Sequence, residues 1–143
     1  MGATEMIAKW VTSTTYEDMP QKATETVKWV VLDSIGVAAL GSKEAHGKIM
    51  INYIKELGGT PQTRILIDGF RTTAENAALA GGVLIHAIDY DDLGGACGHP
   101  SSTLVPVLLA LGEENKLSGK AAIEAYVVGF ETVASLYKGI AGG

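Results

Sequence analysis

Apolar residues recur at three- and four-residue spacing through most of this chain, the mark of helices that each bury one face. Thr4, followed by Glu5 through Val11, predicts a short N-terminal helix capped by Thr4 and docked by Ile7, Trp10 and Val11. Pro20 opens a second helix in which Ala23, Val27, Val30, Val31, Ser34 and Val37 share a face up to Gly41. Its Asp33, Ser34 and Gly36 interrupt the apolar run, and the small residues admit a close neighbour. Ala45–Leu57 predicts a third helix, with Ile49, Met50, Tyr53, Ile54 and Leu57 inward and Gly58-Gly59 as its stop.

The segment Thr63–Ile67 is β-branched and bounded by Pro61 and Asp68-Gly69, so it reads as one short strand or an extended connector. One strand cannot make a sheet. Thr73 through Ile88 predicts a fourth helix whose Ala74, Ala77, Ala78, Ala80, Gly81 and Gly82 suit tight enclosure. Pro100 opens a fifth through Leu111, loosened by Pro106, and Ser118 caps a sixth that runs past Tyr126 and Phe130 to Tyr137. Residues 139–143 are expected to fray. The fold class predicted is all-α, a multi-helix bundle with at most one short strand or extended segment near 63–67.

Composition narrows the function classes. The chain has 143 residues, 47% of them hydrophobic and 19% charged, which suits one globular domain and not a disordered tail. A net charge of −5 with scattered basic residues opposes nucleic-acid binding. The apolar stretches near 30–40 and 78–88 are broken by Asp33, Gly36 or His86, so no membrane span is expected, and the N-terminus lacks the pattern of a secretory signal. A single cysteine, Cys97, fits a reducing compartment, and a cytoplasmic location is the expectation.

Most of the candidate chemistry lies between His86 and Pro106, where two imidazoles and three aspartates surround a glycine-rich turn. His86 and Asp89 are three apart and would share the C-terminal face of the fourth helix. Carboxylates there meet the negative end of the helix dipole and one another, so something must hold them: a cation, a basic partner, backbone amides or a proton. Asp89 stays in phase with the apolar helix and is a candidate site residue. Asp91 and Asp92 read as solvated loop residues, and His86 as a satisfied core histidine.

His99 precedes Pro100 at the entrance of the fifth helix. The helix end disfavours an imidazolium and a nearby carboxylate favours it, a balance that suits a general acid or base. Ser101 and Ser102, with free amides of the first turn, suit either a substrate carboxylate or plain N-terminal capping. Cys97 reads as a small residue in a crowded turn rather than a nucleophile. No lysine follows the glycines as a phosphate loop would require. Ligation of an ion by His86, Asp89, Asp91 and Asp92 is chemically open, but their spacing matches no closed zinc set, so no metal is expected.

The quoted segment, with Asp-Tyr-Asp-Asp at 89–92 and Gly-His-Pro-Ser-Ser at 98–102, resembles the MmgE/PrpD family, which includes 2-methylcitrate dehydratases, cis-aconitate decarboxylases and iminodisuccinate epimerases. Val31–Val37, Ala74–Ala80 and Ala125–Glu131 continue the resemblance, which covers about Pro20 to Tyr137. It implies a helical domain with the active site in a cleft beside a smaller lid domain, and cofactor-independent proton transfer α to a carboxylate of a small di- or tricarboxylic acid. Asp89 and His99 match positions that line the family's active site. His99 would move the proton, Asp89 would orient it, and the backbone around Gly98 with Ser101 and Ser102 would hold a substrate carboxylate. Leu93 stands where active members can carry a hydroxyl residue.

Family members are several times longer, so the resemblance implies that residues 1–143 are part of the helical domain, without the lid and without the later histidine and lysines of the site. The expectation is the N-terminal portion of a lyase or isomerase, inactive by itself and completed by a homo-oligomer or a partner chain. The alternative is a noncatalytic helical interaction module or a subunit of a split enzyme. Loss of the later helices would leave the face of Tyr126, Phe130 and Val133 in need of cover.

Overall fold

The computed structural model describes residues 2–94 and 97–141, with six α-helices and one short hairpin among them. They are α1 (Ala3–Ser13), α2 (Gln21–Gly41), α3 (Ala45–Leu57), β1 (Thr63–Arg64), β2 (Arg71–Thr72), α4 (Ala74–His86), α5 (Pro100–Asn115) and α6 (Gly119–Ala141). A one-turn 3-10 helix, Tyr16–Asp18, links α1 to α2, and its Tyr16 amide donates to Glu124 of α6 at 2.8 Å. No helix among the described residues is long and apolar enough to cross a membrane. The all-α reading holds, but of the segment expected to be extended only Thr63–Arg64 is strand, residues 66–68 form the turn, and a second two-residue strand pairs with the first where at most one was expected.

Helix α4 is the hub, packed on α5, α2 and α3. Ala77, Ala80, Gly81, Leu84 and Ile85 are buried, and the core joins them to Val27, Ala38, Ile51, Ile54, Ile65, Val105 and Tyr126. The small residues act as expected. A Cβ on Gly81 would lie 2.7 Å from Cβ of Pro106, and one on Gly82 would lie 2.9 Å from the Ser102 carbonyl. Pro106, inside α5, therefore sits in the slot that glycine leaves, and the helix continues past it to Asn115. On the other side, a Cβ on Gly41 would collide with the Leu84 carbonyl of α4.

Glycine also sets the roll of α3. Gly47 faces the Gly41 carbonyl at a distance that no side chain allows, so α3 buries Gly47, Ile51 and Ile54 and turns Ile49, Tyr53 and Leu57 outward. Of the five residues expected inside, only Ile54 is fully buried and Met50 is half-buried. At the N-terminus, α1 is capped at Gly2 rather than Thr4, and it buries no residue completely: Ile7 is half-buried while Trp10 and Val11 stay exposed. The sixth helix is capped by the Ser118 hydroxyl, which accepts from the Ala121 amide at 3.2 Å. It stays helical through Gly139–Ala141, where fraying was expected, and residues 142–143 lie outside the described residues.

The hairpin pairs Thr63 with Thr72 and Arg64 with Arg71 and is clamped to α5 by Glu113. That carboxylate accepts from the Thr63 hydroxyl at 3.0 Å and the Arg64 amide at 3.1 Å, and it meets the guanidinium groups of Arg71 at 2.9 Å and Arg64 at 3.2 Å. Burial pushes the Glu113 carboxyl up, but the Arg64 amide, the Thr63 hydroxyl and the two guanidiniums outweigh it and hold the group below the usual glutamate range.

Three substitutions test the glycine packing and the Glu113 clamp. Gly41→Ala should destabilise by about 1–3 kcal/mol, because the colliding partner is backbone and cannot swing away. Gly36→Ala in the same helix meets nothing within 4 Å and should instead stabilise by about 0.5–1 kcal/mol, with urea denaturation of both variants as the check. Glu113→Gln should cost about 1 kcal/mol at neutral pH. Because the folded carboxyl lies below its unfolded value, that contribution is whole above the ordinary glutamate range and fades as pH falls through the lowered value. Denaturation midpoints of wild type and variant should therefore converge in acid.

Candidate functional site

The site is built where α4 ends and α5 begins. These two helices are neighbours that bring His86, the last residue of α4, beside His99, the N-cap of α5, with ring centroids 4.6 Å apart at an edge-on 61°. The helix predicted to reach Ile88 stops at His86, because Ala87 caps it and Asp89 takes a left-handed φ of 52°. Asp89 and His86 therefore do not share a helical face. Left-handed backbone is tolerated by Asp better than by most residues with a Cβ, which explains how a non-glycine makes this turn.

That turn sends the three aspartates in three directions. Asp89 is exposed, its side chain 79% accessible, with Oδ1 3.5 Å from Nε2 of His99. Asp91 points inward with a fully buried carboxylate: its Oδ1 accepts a hydrogen bond from His86 Nδ1 at 3.0 Å and lies 3.3 Å from His99 Nδ1. Asp92 accepts from the Ser101 amide at 3.2 Å and so caps the positive end of α5. Asp91 and Asp92 were expected to be solvated; Asp91 is buried because an imidazole stands on each side of it, and Asp92 is half-buried against the helix start. His86, expected in the core, is instead about half exposed, since α4 ends there and presents it to the loop.

The groups expected to bind substrate are engaged within the protein. Ser101 is buried, its hydroxyl 2.9 Å from the Tyr126 hydroxyl and its amide bonded to Asp92. Ser102 donates to the His99 carbonyl at 2.8 Å, a bond back to the preceding turn, so its hydroxyl caps no amide of the helix start. Gly98 holds φ 61° and accepts the Gly94 amide at 2.8 Å, closing the loop around Cys97. Of the glycine turn, residues 95 and 96 lie outside the described residues. Tyr126 was missed as a site support: it stacks on Phe130 at 6.4 Å and lies in the core. Burial pushes its hydroxyl up, only partly offset by the bond from Ser101, and the charges of Asp92 and Cys97 add to the rise, so it remains a phenol. A buried tyrosine twenty-five residues from its partner leaves no local signal in sequence.

The electrostatics are one-sided. No lysine or arginine forms an ion pair with Asp89, Asp91 or Asp92 among the described residues, and Arg64 and Arg71 are held by Glu113 at the hairpin. Chemically, the arrangement is an imidazole with one nitrogen toward a buried carboxylate and the other toward an exposed one. It can hold and release a proton at the surface of the domain.

The chain belongs to the MmgE/PrpD family: the model of the MmgE/PrpD N-terminal domain matches residues 5–142. Among similar proteins, the cis-aconitate decarboxylase of Mus musculus is 33% identical over 109 residues, which are 73% of this chain and 22% of that protein. The Homo sapiens cis-aconitate decarboxylase is 32% identical over 109 residues, 73% of this chain and 23% of its own length. That of Aspergillus terreus is 26% identical over 147 aligned positions, covering 99% of this chain and 30% of the relative. The chain thus spans between a fifth and a third of the length of these relatives.

Proposed function

We propose that this domain supplies the proton-transfer half of a cofactor-independent lyase site for a small di- or tricarboxylic acid, with decarboxylation of a cis-aconitate-like substrate as the favoured reaction. One observation carries the reading: His99 stands between the buried Asp91 and the exposed Asp89, each within 3.5 Å of a ring nitrogen. In a decarboxylation the bond to the departing carboxylate breaks, its electron pair passes to the carbon left behind, and CO2 leaves. His99 would deliver the proton that this carbon then takes, by way of Nε2, the nitrogen that faces Asp89. Asp89 touches that nitrogen from the open side and would orient the imidazole. Asp91 would act behind it as a positioning residue, holding His86 by a hydrogen bond and facing His99 Nδ1 at 3.3 Å.

The relatives named as decarboxylases support the reaction class, and the same proton step serves a dehydratase or an epimerase. A polyanionic substrate also needs cations, and the two arginines are bound to Glu113. Residues outside 1–143 would supply those cations and complete the site, so the 143 residues alone should turn over weakly or not at all. The test is imidazole NMR of the histidine-labelled chain titrated with cis-aconitate, together with CO2 release. Saturable shifts of the His99 ring that disappear in Asp89→Asn are expected, and any turnover should fall at least about 100-fold in His99→Ala. Unmoved His99 signals, or turnover undiminished in His99→Ala, would sink the reading.

A second reading, association through an apolar face, is favoured by a different surface. Trp29, Leu32 and Leu40 form an exposed stripe on α2, and Ile49, Tyr53 and Leu57 form another on α3. The face expected to need cover does not: Tyr126 is buried, Phe130 half-buried, and only Val133 is open. Sedimentation should show concentration-dependent self-association that Ile49→Lys with Tyr53→Lys reverses. A chain that stays monomeric at every concentration contradicts it.

A further inference from the structure

We infer that His86, Asp89, Asp91 and His99 together form a binding site for a divalent metal ion of the zinc class. One ligand atom from each of the four lies within 4.8 Å of all the others. The donor spacings include 3.0 Å from His86 Nδ1 to Asp91 Oδ1, 3.3 Å from Asp91 Oδ1 to His99 Nδ1 and 3.5 Å from His99 Nε2 to Asp89 Oδ1. Donors bound at about 2.0–2.2 Å to a tetrahedral ion stand roughly 3.3–3.6 Å from one another. His86, Asp91 and His99 Nδ1 are thus near ligation distance before any ion arrives, while the Asp89 spacing is to the other nitrogen of His99. His99 can give only one nitrogen. The exposed Asp89 carboxylate is free to swing toward whichever nitrogen binds.

Compactness alone would describe any acidic cluster, but a second observation concerns a single atom. The Asp91 side chain is fully buried, and its Oδ2 has no hydrogen-bond partner among the described residues; His99 Nδ1, which faces the same carboxylate, has none either. Buried carboxylate oxygens are seldom left unpaired, because desolvation without a partner costs free energy. A cation seated between Asp91 and the two imidazoles would supply the partner that the described residues do not. The charge also balances, since two carboxylates and two neutral imidazoles make a neutral complex with a divalent ion.

Two imidazole nitrogens with two carboxylates select the class: magnesium and calcium take oxygen shells, whereas mixed nitrogen and oxygen sets suit zinc and its neighbours. The sequence points elsewhere because the fourth ligand is not Asp92, which caps α5, but His99 from beyond the glycine turn. If His99 has the proton-transfer role proposed above, an ion here takes the lone pair that the proton needs, and the metal acts as an inhibitor; the binding itself does not rest on that role.

The experiment titrates the tag-free chain with zinc by calorimetry and with cobalt by visible absorption, in the absence of any carboxylic acid. One ion per chain is expected, with the intense absorption of tetrahedral cobalt, displaced by zinc. His86→Ala, at a half-exposed position, should weaken zinc at least about 10-fold with unchanged circular dichroism. Asp91→Asn should do the same, and His86→Ala alone decides if that variant does not fold. Cys97→Ser and His46→Ala should leave affinity unchanged. Absence of saturable binding, affinity unaltered in His86→Ala, or affinity lost in Cys97→Ser would each overturn the inference. Because no substrate is present, such a failure leaves the proton-transfer reading standing, and failure of that reading leaves this one.

Discussion

The contact of α4 with its neighbours at backbone distance governs everything else in this domain. Gly41 against the Leu84 carbonyl, Gly81 against Pro106 and Gly82 against the Ser102 carbonyl leave no room for even one methyl group. Packing of that kind permits little sliding, because any shift of α4 along α5 brings a glycine slot opposite the wrong atom. His86 and His99 sit at the ends of those two helices. Their mutual placement is therefore set first by glycine positions one to several turns away, and only then by Asp91 between the two rings.

The second constraint is electrostatic. Three carboxylates follow the negative end of α4 within seven residues of sequence, an arrangement that the dipole opposes. The chain resolves it by dispersal. Asp92 reaches the positive end of the next helix, Asp91 is wedged between imidazoles, and Asp89 is left in water by its left-handed turn. Among the described residues, one of the three stays buried without a full complement of partners, and it lies at the centre of the cluster.

Much of the fold is legible in sequence because helical periodicity is strong and its boundaries are chemically marked. Pro20, Thr73, Pro100 and Ser118 begin helices where cap chemistry says they should, and Gly58 follows the end of α3. The legible part ends where an outcome depends on distant atoms. The roll of α3 is decided by Gly47 against Gly41, which hydrophobicity does not encode, so the apolar residues that look inward by pattern look outward in fact. At the site, the pairing of Asp89 with His99 is consistent with the residues singled out from sequence. The exchange of roles between His86 and Asp91, one exposed and one buried, follows from a helix that ends two residues early, and end positions are the weakest thing periodicity can specify.

The link between Ser101 and Tyr126 joins the first turn of α5 to the middle of α6. Residue 101 is two positions from His99, so a displacement of α6 pulls on the backbone that carries the imidazole. One buried pair of hydroxyls thus ties the helix that positions the imidazole to the last helix of the domain.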